Sequence, residues 1–112
     1  MTETITWQDF EKVEMRVGRV VAVDDFPEAR KPSYKLTIDF GPEIGTKRSS
    51  AQITKLYKKE GLIGRLVVCV INFPPKQIAN FHSECLTTGF VTDKGVVLLE
   101  PEQDVPLGCK VA

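Results

Sequence analysis

The chain has a single histidine, His82, and only three cysteines, Cys69, Cys85 and Cys109, at wide spacing. A zinc site needs more such ligands, closely and recurrently spaced, so no metal site is expected. An odd, scattered cysteine count gives no disulfide framework and fits a reducing, cytoplasmic setting. Any Ser-His-Asp set would have to be built on His82. That residue precedes Cys85 by three positions, yet Cys85 opens an expected strand and nothing orients the imidazole. The pair reads as a loop histidine beside a core cysteine. No glycine-rich phosphate loop occurs, and Gly41-Pro-Glu-Ile-Gly45 is only a turn. Asp24 and Asp25 sit where a strand meets a loop, as solvated turn acids rather than an acid–base dyad. These absences predict a protein that binds rather than catalyses, with no cofactor.

Long apolar runs are missing too. The longest, Leu66-Val-Val-Cys-Val-Ile71, falls far short of the roughly 20 residues that cross a bilayer, so no membrane insertion is expected. Residues 1–7 show no basic region followed by an apolar stretch, which speaks against a secretory signal. Net charge is also missing, since 15 basic residues balance 15 acidic ones. A protein dominated by nucleic-acid binding usually carries a positive excess. Aromatic residues make up only 8% of the chain, thin support for base stacking. Charge is nevertheless uneven. Lys47, Arg48, Lys55, Lys58 and Lys59 follow one another with no acid between, and Arg30, Lys31 and Lys35 form a smaller group. Glu100, Glu102 and Asp104 make the end acidic. Such a basic stretch is either a solvated surface or a stripe that attracts phosphate or acidic partners.

What is present is β pattern. With 112 residues, 42% hydrophobic and 27% charged, the chain suits one globular domain over 1–112. A short helix is expected over 6–13, capped by Thr6, with Asp9 near its positive end. Trp7, Phe10 and Val13 fall near helical spacing and are expected to plug one face onto the core. Residues 15–26 are valine-rich and read as a long strand, with Gly18 marking a bulge or tight bend. A proline-bounded loop follows over 27–32. Tyr34, Leu36, Ile38 and Phe40 alternate strictly, as one face of a strand does. A third, more polar strand is expected over 46–53, then a helical turn over 54–61 ended by Gly61. Residues 66–71 read as a buried central strand, stopped by the prolines that follow. Residues 76–82 read as a loop or short helix. Strands are expected over 84–91 and 96–99, joined by a turn at Thr92-Asp-Lys-Gly95. From Pro101 onward the chain reads as an extended tail. The whole predicts an all-β protein, a five-stranded Greek-key barrel with a short N-terminal helix and a mid-chain helical turn.

Two segments have more chemistry than packing needs. Lys47-Arg-Ser-Ser-Ala-Gln-Ile53 has poor strand propensity. Its Lys47, Arg48, Ser50 and Gln52 offer donors for phosphate or a peptide backbone, and the plainer alternative is a polar edge strand. Asn72-Phe-Pro-Pro-Lys-Gln-Ile78, followed by Phe81, is too apolar for an ordinary loop. Phe73, Pro74, Pro75, Ile78 and Phe81 must be buried by the barrel, by a second subunit or by a ligand. Two prolines stiffen this surface, so little entropy is lost on docking. Asn72 is placed to satisfy backbone groups left unpaired around the prolines, and Lys76 adds a cation.

The same segments bear a family likeness. Glu14-Met-Arg-Val-Gly18, Ser50-Ala-Gln-Ile53, Asn72-Phe-Pro-Pro75 and Ser83-Glu84 resemble the tRNA-binding-domain superfamily. Phe26-Pro-Glu-Ala-Arg30, Ile38-Asp-Phe-Gly41, Glu43-Ile-Gly45, Ser49-Ser-Ala-Gln-Ile-Thr54 and Val97-Leu-Leu-Glu-Pro101 resemble its CsaA branch, small bacterial proteins regarded as export-related chaperones. The likeness covers nearly the whole chain. It implies an OB-fold homodimer, joined in part by its terminal segments, with apolar pockets that accept unfolded or precursor polypeptides. Export machinery and tRNA are further implied partners. The positions matching the pocket-forming segment are Asn72, Phe73, Pro74 and Pro75, with Ile78 and Phe81 beside them; Arg48, Ser50 and Gln52 match the neighbouring polar strand. One departure stands out: Cys85-Leu86 follows Ser83-Glu84, where synthetase-appended relatives have Gly-Met. That substitution weakens the implied tRNA binding. The polarity of Thr87-Thr88 has no explanation in the sequence.

Overall fold

A computed structural model describes residues 2–112; Met1, where the expected domain span begins, lies outside the described residues. The elements in chain order are α1 (Trp7–Glu11), β1 (Met15–Asp25), β2 (Tyr34–Asp39), β3 (Thr46–Ala51), α2 (Lys59–Leu62), β4 (Leu66–Val70), β5 (Lys76–Ile78), β6 (Phe81–Ser83), β7 (Leu86–Thr87), β8 (Gly89–Thr92) and β9 (Gly95–Leu98). Five strands form one antiparallel sheet in the order β3-β2-β1-β4-β7. The sheet curls into a nearly closed barrel, the all-β OB-type architecture expected from the sequence.

Strand β1 makes the curl possible. Met15 to Arg19 pair with β4, and Arg19 to Asp25 pair with β2. The register slips between Val20 and Ala22, so the bulge falls at Val21 and not at Gly18. Gly18 serves a different need. A Cβ there would lie 2.5 Å from Ile38 Cγ2 and 2.8 Å from Phe40, so only glycine lets these side chains fill the barrel. Alternation in β2 puts Leu36 and Ile38 on the core face, and Phe40 continues it. All five residues of β4 are buried, as their unbroken apolar run requires. Leu62 of α2 is fully buried and joins this core.

Several expectations need correction. Helix α1 is capped by Thr6, whose hydroxyl accepts from Asp9 N–H while the Asp9 carboxylate accepts from Thr6 N–H, both at 3.1 Å. Yet none of its residues is buried, and Trp7 is 78% exposed. Five residues make too little surface to cover a barrel. The mid-chain helix begins at Lys59 and contains Gly61; Gly64, at φ +88°, turns the chain into β4. Residues 76–82, expected as loop or helix, form with Ser83 the hairpin β5–β6, with Ala79 at φ 52°. The strand expected over 84–91 is broken into β7 and β8 at Thr88, whose N–H and hydroxyl both donate to Val68 O, at 3.0 and 2.7 Å. The tail is not free. Gly108 N–H donates to Val17 O at 2.8 Å, Val17 N–H to Cys109 O at 3.0 Å, and Val111 N–H to Met15 O at 2.9 Å.

Candidate functional site

The barrel is closed by side chains rather than by a continuous ladder. Arg48 N–H of β3 donates to Glu84 Oε1 at 2.9 Å, and Glu84 N–H donates to Arg48 O at 2.8 Å. Ser50 N–H donates to Ser83 Oγ at 3.1 Å. Ser83 and Glu84 therefore satisfy the main chain of an edge strand that would otherwise stand open. Behind this seam lies a buried polar chain. Cys69 Sγ donates to Thr87 Oγ1 at 3.6 Å, Thr87 to Ser49 Oγ at 2.9 Å, and Ser49 to Cys85 O at 3.1 Å. Ser49 is fully buried, so Thr87 is the partner it needs. With Thr88 fixed on Val68, this accounts for the polarity of Thr87 and Thr88. The neighbouring Cys85 thiol and burial push the Cys69 thiol up, and the same proximity to Cys69 lowers Cys85.

A branched groove opens beside the seam, with three arms. One, of about 380 Å³, is lined by Ser50, Gln52, Phe73, Pro74, Lys76, Ile78, Ser83, Cys85 and Leu86. It is mostly apolar, with Phe73 54% and Leu86 49% exposed. A second, of about 860 Å³, runs under the loop over 27–33 and brings Arg30, Lys31 and Lys76 together with Ser33, Gln77 and Ala79. A third, of about 420 Å³, extends along β7, β8 and β9 past Thr88, Val91 and Val96. Ser50, Gln52 and Ile78 line all three arms. Groove geometry thus follows from strand period: Ser50 and Gln52 are two apart near the end of β3, as are Lys76 and Ile78 on β5.

Of the residues singled out from sequence, Ser50, Gln52, Phe73, Pro74, Lys76 and Ile78 come together in this groove. The others are placed elsewhere. Asn72 does not attend to the prolines; its Oδ1 accepts from Glu14 N–H at 3.0 Å and its Nδ2 donates to Lys12 O at 2.6 Å, tying α1 to the end of β4. Pro75 is exposed but is not among the lining residues. Phe81 is only 4% exposed and packs edge-on against Phe26, with ring centroids 5.4 Å apart. Arg48 covers Phe81 at 4.6 Å and Lys35 covers Phe26 at 4.9 Å. These cations are held on aromatic faces. Lys47 faces Ile38 across the β2–β3 ladder and lines no arm of the groove. Lys59 is bonded to Asp25 at 2.8 Å, which raises its pKa. The basic run from Lys47 to Lys59 is thus partly engaged in the fold. Arg30, Lys31, Ser33, Gln77, Cys85 and Leu86 were missed as groove residues. For Arg30 and Lys31 the signal was their adjacency in a proline-bounded loop; for Leu86, its apolar side chain beside the Ser-Glu pair.

Comparison with known proteins agrees with this architecture. Residues 15–110 match the family model described as a putative tRNA binding domain. The CsaA chaperone protein of Picrophilus torridus superposes with a TM-score of 0.92 at 55% identity, over 97% of this chain and 100% of that one. Chaperone CsaA of Bacillus anthracis gives a TM-score of 0.92 at 47% identity, over 98% and 100%. A methionine–tRNA ligase of Pyrococcus furiosus is 36% identical over 107 residues, 96% of this chain but 14% of the ligase. The chain thus spans about a seventh of that ligase's length.

Proposed function

The chain belongs to the putative tRNA-binding-domain family, and from that premise we propose that it is an ATP-independent chaperone holding unfolded or precursor polypeptides for export. The observation that carries this reading is the apolar arm, where Phe73, Pro74, Ile78 and Leu86 meet beside Ser50 and Gln52 with Phe73 half-exposed. An exposed apolar surface rimmed by polar groups marks a place where another molecule docks. Likeness to two CsaA chaperones over their full length favours a polypeptide. Ligase activity does not follow, because the match covers a small part of the ligase. The mechanism is passive. Apolar client side chains enter the arm, Arg30, Lys31 and Lys76 attract client carboxylates, and binding the unfolded form slows aggregation by mass action. Exposed Ile5 and Trp7 on and beside α1 support a homodimer joined there, and three free cysteines suit a cytoplasmic setting.

A second reading, tRNA binding, is favoured by the family description and by the cluster of Arg30, Lys31 and Lys76. The two are separated by side-by-side titration with an unfolded precursor peptide and with tRNA across a salt series. Peptide binding with little salt dependence supports the chaperone. Tight tRNA binding that falls steeply with salt, and no peptide binding, replaces it with the second reading.

A further inference from the structure

Among the described residues, hairpin β5–β6 stands outside the five-stranded sheet and β5 is paired only with β6. In an antiparallel pair, alternate residues turn their N–H and C=O away from the partner strand. The ladder closes at Ile78 and Phe81, so on β5 it is Gln77 whose N–H and C=O turn outward, and no other backbone takes them up among the described residues. That edge faces the groove. Lys76, Gln77, Ile78 and Ala79, four residues in a row, line the basic arm. Side chains of a strand point alternately to opposite faces, so a wall built from consecutive residues is the strand's edge rather than one of its faces. Ala79, the one non-glycine residue with positive φ among those described, closes the hairpin at the end of this wall.

Charge and polarity are graded along the same wall. Arg30, Lys31 and Lys76 line the basic arm against one acid, Glu28. Phe73, Pro74, Ile78 and Leu86 line the apolar arm, and Lys76 belongs to both. Lys76 and Ile78 are two apart on β5 and so share a face, roughly 6.6 Å from one another along the strand. An extended ligand chain repeats its own side chains on one face at that same step.

We infer that the groove captures its client as an extended strand added to the free edge of β5, choosing segments with an apolar side chain two residues from an acidic one. This rests on the polypeptide reading above. Strand addition uses main-chain hydrogen bonds for affinity and alternate side-chain pockets for selection. Lys76 on the edge also discourages pairing with a second copy of the same edge, which lacks a carboxylate there.

The first arm of the test leaves the protein unaltered. A short fluorescein-labelled peptide, with Leu and Glu two residues apart among threonines, is titrated by anisotropy. It is then re-made with one backbone amide N-methylated at a time. The inference expects methylation of the one amide that donates to Gln77 C=O to weaken binding about tenfold, by the loss of that hydrogen bond, with the amides on either side of it indifferent. Exchanging Glu for Lys in the peptide weakens binding, and Lys76→Glu in the protein reverses that preference. Equal sensitivity at every amide, or at none, overturns strand addition while the peptide still binds. Failure of every peptide and of an unfolded precursor to bind removes the polypeptide reading, and this inference with it.

Discussion

Truncating Phe73 separates the groove's role in binding from its role in folding. An aromatic side chain offers on the order of 200 Å². At 54% exposure, roughly 110 Å² of Phe73 remains in water when the groove is empty. Covering all of it is worth about 2.7 kcal/mol at about 25 cal/mol per Å², and covering half about 1.4 kcal/mol. Phe73→Ala is therefore expected to raise the Kd for an unfolded precursor peptide about tenfold, with a ceiling near one hundredfold. Its effect on folding is small, within about 1 kcal/mol, because the ring is only half committed to the barrel. The assay is anisotropy of a labelled precursor peptide, beside urea unfolding of each variant. Ile63→Ala serves as a control. Ile63 is 56% exposed yet lines none of the three arms, so equal loss of a surface side chain there leaves the Kd unchanged. A Phe73→Ala protein that binds within twofold of wild type would refute the placement of the client on this wall. Equal weakening by Ile63→Ala would refute the area argument.

Three further outcomes follow from the fold. Gly18→Ala puts a methyl 2.5 Å from Ile38 and is expected to destabilise by about 1–3 kcal/mol, read as a lowered urea midpoint at unchanged slope. Glu84→Ala strips Arg48 N–H of its acceptor and opens the seam; a loss of about 1–3 kcal/mol is expected, and calorimetric stability equal to wild type would contradict the clasp. Glu14 is hydrogen-bonded to Arg16 at 3.0 Å, which with Lys110 nearby holds its carboxyl below the ordinary value of 4.5. A carboxyl lowered by folding stabilises above its unfolded value, and that stabilisation is lost as pH falls through the lowered one. Glu14→Gln is therefore expected to flatten the acid limb of the stability–pH curve below about pH 4.5 and leave its slope near neutrality unchanged.

Much of the barrel was legible because its signals are local. Alternation from Tyr34 to Phe40 and the unbroken apolar run of β4 are properties of adjacent residues, and the structure keeps both. The failures came where distant contacts decide. Phe81 reads as part of an apolar segment that the barrel, a second subunit or a ligand must bury, and the choice falls to the barrel because distant Phe26 gives it a partner and Arg48 a lid. Thr87 looks misplaced in a strand until Ser49, 38 positions away, needs a donor. Hairpin β5–β6 went unseen because Ala79-Asn80 lacks the glycine that announces tight turns, and the backbone accepts a left-handed alanine instead. The bulge was misplaced for a related reason. Glycine in a strand signals either a kink or a close approach, and only the positions of Ile38 and Phe40 decide between them. In the groove, Ser50 and Gln52 were legible as donors on a polar strand, whereas Arg30 and Lys31 arrive from a loop whose path the sequence leaves open.

The clasp between Ser83, Glu84 and β3 also makes this protein a reporter on itself. Ser50 and Ser83 belong to the closing contact and to the walls of the apolar arm at once. Whatever fills that arm also packs against the seam that closes the barrel. Amide protons at Arg48, Ser50 and Glu84 are then slowed in exchange when the arm is occupied, and loading can be followed by heavy-water labelling without a dye, a tag or an added chromophore.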